Sequence, residues 1–193
     1  RFRLVLRHLD AAGLQLNSGI AYVEGGVGDV TWTSFAPRMA VAWPATPPTD
    51  WTFGLQIGSD VLSTAAGDGY IRVHFGDEWD LSLLAASPGL AAWTGFVPLA
   101  LAASDAQGYK YLEARTQAGN LAGAGAALSV TIAKAGLRGP RTTGTVEVWA
   151  TTHNASGLLD AGRGSFVAYA GDVLGQVSPF VLLGDPVGGS HDG

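Results

Sequence analysis

The sequence predicts an all-β protein, a jelly-roll-like or related antiparallel β-sandwich with little helix. Apolar residues recur with period two, as in Phe2, Leu4 and Leu6 against Arg1, Arg3 and Arg7, or Leu128, Val130 and Ile132 against Ser129 and Thr131. Gly, Pro, Asp and Asn interrupt these runs at the short, regular spacing of sandwiches and barrels. Alanine-rich stretches such as 100–106 and 119–127 are broken by Gly or lack a sustained 3.6-residue stripe, which weakens any helical reading.

The first strand, 2–6, sets cations on one face and apolar side chains on the other, the pattern of a half-exposed edge. Strands are expected next over 19–24, 30–35, 39–43, 51–57, 70–75 and 79–84, and 81–86 is the one segment that also admits a short helix. Further strands are expected over 96–102, 109–116, 127–133, 143–151, 165–169 and 179–183, the last being a second candidate edge. Within 143–151, Val146 and Val148 alternate with Trp149, which then lies either in a second buried layer or on an exposed binding face. The glycine-bearing stretches 119–125 and 157–164 lack the frame of a phosphate loop and read as hairpin loops. Pro44, Pro47 and Pro48 favour extended backbone, so 44–49 reads as a connector between sheets. The domain expected is a single sandwich over 1–187, divisible near 44–50, with a flexible tail over 188–193. One internal echo, Trp32-Thr33-Ser34-Phe35-Ala36-Pro37 and Trp93-Thr94-Gly95-Phe96-Val97-Pro98, reads as two strands each ended by Pro, with aromatics on one face.

Composition narrows the function classes. Only 14% of the 193 residues are charged, against roughly 25% in ordinary soluble domains, while 47% are hydrophobic and 28 are Gly. So few charges point to surface meant to be covered. The net charge is −5 and the 11 Lys and Arg are scattered, so no nucleic-acid partner is expected. The nearest basic run, 134–141, reads as a solvated turn. Without cysteine there is no disulfide, thiolate metal site or thiol nucleophile. The longest apolar runs, 81–86 and 99–103, fall short of the roughly 20 residues of a membrane-spanning helix, and no span is expected. The chain opens without Met and already in strand-like alternation, as a processed product or excised region would.

No catalytic or cofactor signature stands out, and no cofactor is expected. Asp68, Asp77, Glu78 and Asp80 cluster around glycines, but not at the spacing of a calcium loop, and read as turn residues. His8, His74, His153 and His191 lack zinc-site spacing, and no serine sits in a Gly-x-Ser-x-Gly elbow. Glu113 and Glu147 lie on expected strands, where a glycosidase could place a carboxylate pair, but strand carboxylates are usually solvated. Asn154-Ala155-Ser156 is a glycosylation sequon only in a secretory setting. Aromatics are the more serious binding candidates, because Trp and Tyr faces stack on sugar rings. Trp43, Trp51, Trp79 and Tyr109 are the candidate glycan-binding residues, set against ordinary packing in the core or an interface.

The run Tyr109-Lys110-Tyr111-Leu112-Glu113-Ala114-Arg115-Thr116, followed by Gly119 to Gly123 and then Ala127-Leu128-Ser129-Val130-Thr131-Ile132, resembles the β-rich virion proteins of tailed phages and gene-transfer agents. The resemblance covers 109–151, rests on strand, glycine loop and strand in sequence, and assigns no functional residue. It implies a head-decoration, spike or tail-fibre role on an extracellular particle. The expected function is therefore a non-enzymatic structural subunit of a symmetric assembly, its partners being further copies of itself or other virion proteins. The alternative is a carbohydrate-binding or receptor-binding module that recognises a surface glycan.

Overall fold

The structure is a computed structural model that describes residues 2–9, 15–23, 28–37, 39–41, 49–61, 65–119, 122–141 and 144–169. It is an all-β, sandwich-like fold. Two strands, β1 (Phe2–Leu9) and β2 (Gln15–Val23), pair as a separate hairpin. The remaining strands are β3 (Gly28–Asp29), β4 (Thr31–Ala36), β5 (Met39–Val41), β6 (Trp51–Gln56), β7 (Tyr70–Phe75), β8 (Ala91–Thr94), β9 (Ala100–Ala106), β10 (Tyr109–Arg115), β11 (Ala127–Ile132), β12 (Gly144–Asn154) and β13 (Gly157–Tyr169). A seven-stranded sheet runs β3-β13-β12-β7-β10-β9, with β5 also on β13, and a four-stranded sheet runs β4-β6-β11-β8. The expected connector at 44–49 falls between β5 of the first sheet and β6 of the second, so it joins the two sheets, though 42–48 lie outside the described residues.

One apolar cluster fills the space between the sheets. Phe53, Leu55, Val130 and Ile132 of the smaller sheet meet Ile71, Val73, Phe75, Leu112 and Val148 of the larger one, all at most 1% exposed. The alternation read from the sequence is the cause, because successive side chains point to opposite faces. Trp51 and Trp79 belong to this core: their rings meet edge to face at 5.1 Å, and the Trp51 indole N–H donates to the Leu137 carbonyl at 2.9 Å. Most buried polar side chains are matched, though the Trp79 and Trp93 indole N–H groups have no acceptor among the described residues. Asp160 accepts from Ser59 N (3.0 Å), Ser59 Oγ (2.6 Å) and Thr152 Oγ1 (2.7 Å), which pins the turn after β6 to the larger sheet. Lys110 pairs with Asp105 at 3.0 Å and donates to the Trp79 carbonyl, while Asp105 accepts Leu81 N at 2.8 Å.

Four segments depart from expectation, among them 119–125, read as a hairpin loop but falling between β10 of the larger sheet and β11 of the smaller. In place of the strand expected over 79–84 stand a turn and α1 (Ser82–Ala86), the short helix that 81–86 also admitted; Asp80 Oδ1 accepts Ser82 N at 2.9 Å and turns the chain. The strand expected over 96–102 begins at Ala100 instead. Most instructive is 157–164, expected as a hairpin loop but forming the first half of the 13-residue strand β13. Gly162 and Gly164 serve close approach rather than turning. A Cβ on Gly162 would lie 1.8 Å from the Val30 carbonyl oxygen, and one on Gly164 would lie 2.3 Å from the Phe35 ring. The actual turn is at 154–157, where Asn154 Oδ1 accepts Ser156 N and Gly157 N. The strand and tail expected over 179–183 and 188–193 lie outside the described residues.

Candidate functional site

Strands β12, β7 and β10 are neighbours in the larger sheet, and their alternation sends every second side chain away from the core. The register sets these outward residues in three rows across the strands: His153, Tyr70 and Arg115; Thr151, Arg72 and Glu113; Trp149, His74 and Tyr111. Edge strand β9 extends the rows with Ala100, Ala102 and Ser104.

Glu113 organises this face. It is 1% exposed although it points away from the core, because neighbouring long side chains lie over it. Its Oε2 accepts Arg72 Nε at 2.5 Å and its Oε1 pairs with Arg115 Nε at 2.7 Å. A buried carboxylate is tolerable only when paired and hydrogen-bonded, and here each oxygen has its own guanidinium. Arg72 Nη1 also donates to the Tyr109 hydroxyl at 2.9 Å, and Arg115 Nη1 to the Gly67 carbonyl at 3.2 Å. Burial works against the Arg72 charge, but the attraction of Glu113 and the hydrogen bond to it prevail and raise the Arg72 pKa above its ordinary value.

Aromatic rings frame the two cations. The Arg72 guanidinium lies 4.8 Å from the Tyr70 ring centre and 4.7 Å from that of Tyr111, and Arg115 lies 5.5 Å from Tyr70. His153 stacks on Tyr70 at 4.4 Å and 11°. Since β12 and β10 flank β7 on opposite sides, the His153 imidazole and the Arg115 guanidinium reach Tyr70 from opposite sides. Burial, with Glu113 and Tyr109 adding to it against the opposing pull of Arg72 and Arg115, pushes the Tyr111 phenol above its usual range. Beside this stack, Thr151 Oγ1 lies 3.0 Å from His74 Nε2 and 3.1 Å from His153 Nε2. A hydroxyl has one proton, so at least one imidazole donates its Nε2 hydrogen to Thr151.

The expected glycan-binding residues divide. Tyr109 lies at this face, its ring edge-to-face with Tyr111 at 4.9 Å. Trp51 and Trp79, 1% and 0% exposed, are core residues, and rings so enclosed have no face to offer a sugar. Trp43 lies outside the described residues. Trp149 takes the outward position, half-buried, opposite His74. Of the carboxylates weighed for hydrolysis, Glu113 is held by two arginines, and Glu147 pairs with Arg163 at 3.0 Å. The register places them two strands and four residues apart, roughly 16 Å between Cα atoms. Asp68, Asp77 and Asp80 each accept a backbone N–H in a turn, from Ala65, Gly108 and Ser82.

Tyr70, Arg72, Tyr111 and Arg115 were not singled out by residue chemistry, and His153 was weighed only as a zinc ligand. Their signal is present, because 109–115 and 70–74 alternate aromatic or charged residues with aliphatic ones, and that phase read across paired strands yields the rows. The pairing itself is not legible locally.

No family model matches the chain, and no curated protein matches it.

Proposed function

We propose that this chain is a non-enzymatic β-sandwich module of a symmetric, virion-type assembly, a head-decoration, spike or tail-fibre component, in which the outward face of the larger sheet is the contact surface. The observation that carries the reading is the Tyr70–Arg72–Tyr111–Arg115 array locked by the buried Glu113 carboxylate. Tyr and Arg dominate the energetics of protein contact surfaces, and side chains already ordered before contact lose little entropy on binding. The scarcity of charge supports the same reading. So do Val97 and Leu99, 70% and 48% exposed, and the end strands β8 and β9, each of which pairs on one side only among the described residues.

A second reading is favoured by Tyr109 and Tyr111 at this face: a tip that binds surface carbohydrate. Both roles fit one particle protein. Light scattering behind size exclusion, over a concentration series, tests the first. A stable multiple of 19.8 kDa is the expected result, and a monomer at every concentration would overturn self-assembly.

A further inference from the structure

We propose that the β9 side of this face binds an acidic saccharide, one bearing a carboxylate or a sulfate, with Arg115 and Arg72 as the anion-recognising groups. The inference rests on the carbohydrate-binding reading and names the ligand class that the reading leaves open. The chain as a whole is acidic, with a net charge of −5, yet here two guanidiniums share one carboxylate and leave a local positive excess. Glu113 spends both oxygens on the two Nε groups, which fixes the orientation of the planar cations and leaves Arg115 well exposed while Arg72, 18% exposed, lies largely under the tyrosines. Among the described residues Nη2 of each arginine has no hydrogen-bond partner, and the Arg115 side chain is 44% exposed. Guanidinium N–H groups held in this way suit carboxylate and sulfate oxygens, which they bind with charge-assisted hydrogen bonds.

Beside them the sheet supplies room. Ala100 and Ala102 stand directly across from Arg115 and Glu113, and Ser104 from Tyr111. These small side chains form a low border next to tall ones, a shelf about one strand wide, roughly 5 Å. A sugar ring lying on this shelf would meet Tyr111 and Arg115 along its side and the Ser104 hydroxyl beneath it. A chain this poor in lysine and arginine, which nonetheless buries a glutamate to align two arginines on one face, is arranged to receive negative charge there.

Calorimetric titration of the purified chain with sialyllactose, sulfated lactose, lactose and inorganic sulfate tests the proposal. One or both acidic sugars should bind about tenfold or more tightly than lactose, and which of the two does so separates carboxylate from sulfate recognition. Arg115→Gln should remove that preference while circular dichroism and elution volume stay unchanged. Ala100→Glu leaves Arg72, Glu113 and Arg115 in place and sets a like charge on the shelf, so it should weaken the acidic sugar several-fold more than lactose. Equal binding of lactose and its acidic forms, insensitive to both substitutions, would overturn the acidic assignment but keep carbohydrate binding. No binding of any saccharide would overturn both, and inorganic sulfate binding as tightly as the sugars would reduce the site to an ion contact and overturn the proposal.

Discussion

The two faces of the seven-stranded sheet bury side chains by different means. On the inner face Ile71, Val73, Leu112 and Val148 are covered by a second sheet, and glycines on β13 let the edge of that sheet come within backbone contact. On the outer face Glu113 and His74 are just as hidden, at 1% and 2% exposure, beneath Tyr70, Arg72, Tyr111 and Arg115 of their own sheet. The inner face therefore depends on volume, where packing at crystal-like density leaves no slack. The outer face depends on charge pairing and orientation, and its cover remains open to an incoming ligand.

The sharpest way to break the contrast is to add one methyl group to the inner face. Gly162→Ala places a Cβ 1.8 Å from the Val30 carbonyl oxygen and 2.7 Å from its carbon, both backbone atoms that no rotamer change can move. It would also disturb the acceptor of the Trp32 indole N–H, bonded to the Gly162 carbonyl at 3.2 Å. A loss of about 3 kcal/mol or more is expected in urea denaturation. Near-wild-type stability would mean that β4 does not sit this closely on β13.

The outer-face counterpart is Glu113→Gln, which conserves volume and removes charge. Both guanidiniums then lose their counter-ion, and one must face an amide N–H. Because Arg115 is well exposed and Arg72 partly so, water screens part of the cost, and the expected loss is about 2 kcal/mol rather than the full ~3–5 kcal/mol of a wholly buried pair. Raised salt should narrow the difference from wild type, whereas the Gly162→Ala deficit should not respond to salt. If Glu113→Gln proves as stable as wild type, the carboxylate does not hold the array together.

How much of this was legible in the sequence follows the same division. Period-two runs such as 70–75, 109–115 and 127–132 announced strands at nearly the right boundaries, because each strand has one face in the core. Gly162 and Gly164 misled, since local rules read glycine as a turn, while the cause lies about 130 residues away in Val30, Trp32 and Phe35. The Trp-Thr-x-Phe-x-Pro echo proved to mark β4 and β8, the two outer strands of the four-stranded sheet. Yet the Trp32 indole finds an acceptor while the buried Trp93 indole N–H has none among the described residues, a difference that the shared Trp, Thr, Phe and Pro do not encode. Single tryptophans drew attention as a binding surface. The outer face is made from Tyr, Arg and His, with Trp149, at alternate positions of three strands, and only their register brings them together.

The smallest expected effect is a titration that separates the faces by chemistry. Tyr111 is one of five tyrosines, and burial raises its folded pKa above the ordinary phenol value of 10.0, with Glu113 and Tyr109 adding to the shift and Arg72 opposing it. Between the unfolded and folded values the unfolded chain has released the phenolic proton and the folded chain keeps it. The unfolded state then binds fewer protons, so stability falls as pH rises through that window, and the contribution is complete below pH 10. Ultraviolet absorbance should show one phenol ionising later than free tyrosine and missing from Tyr111→Phe, which should also flatten the decline in stability above pH 10. An unchanged decline in Tyr111→Phe would place its phenol in ordinary solvent and remove Tyr111 from the cover over Arg72. Tyr70 and Tyr109 would then be the rings left against that guanidinium, and the aromatic part of the outer face would end at β7 and the start of β10.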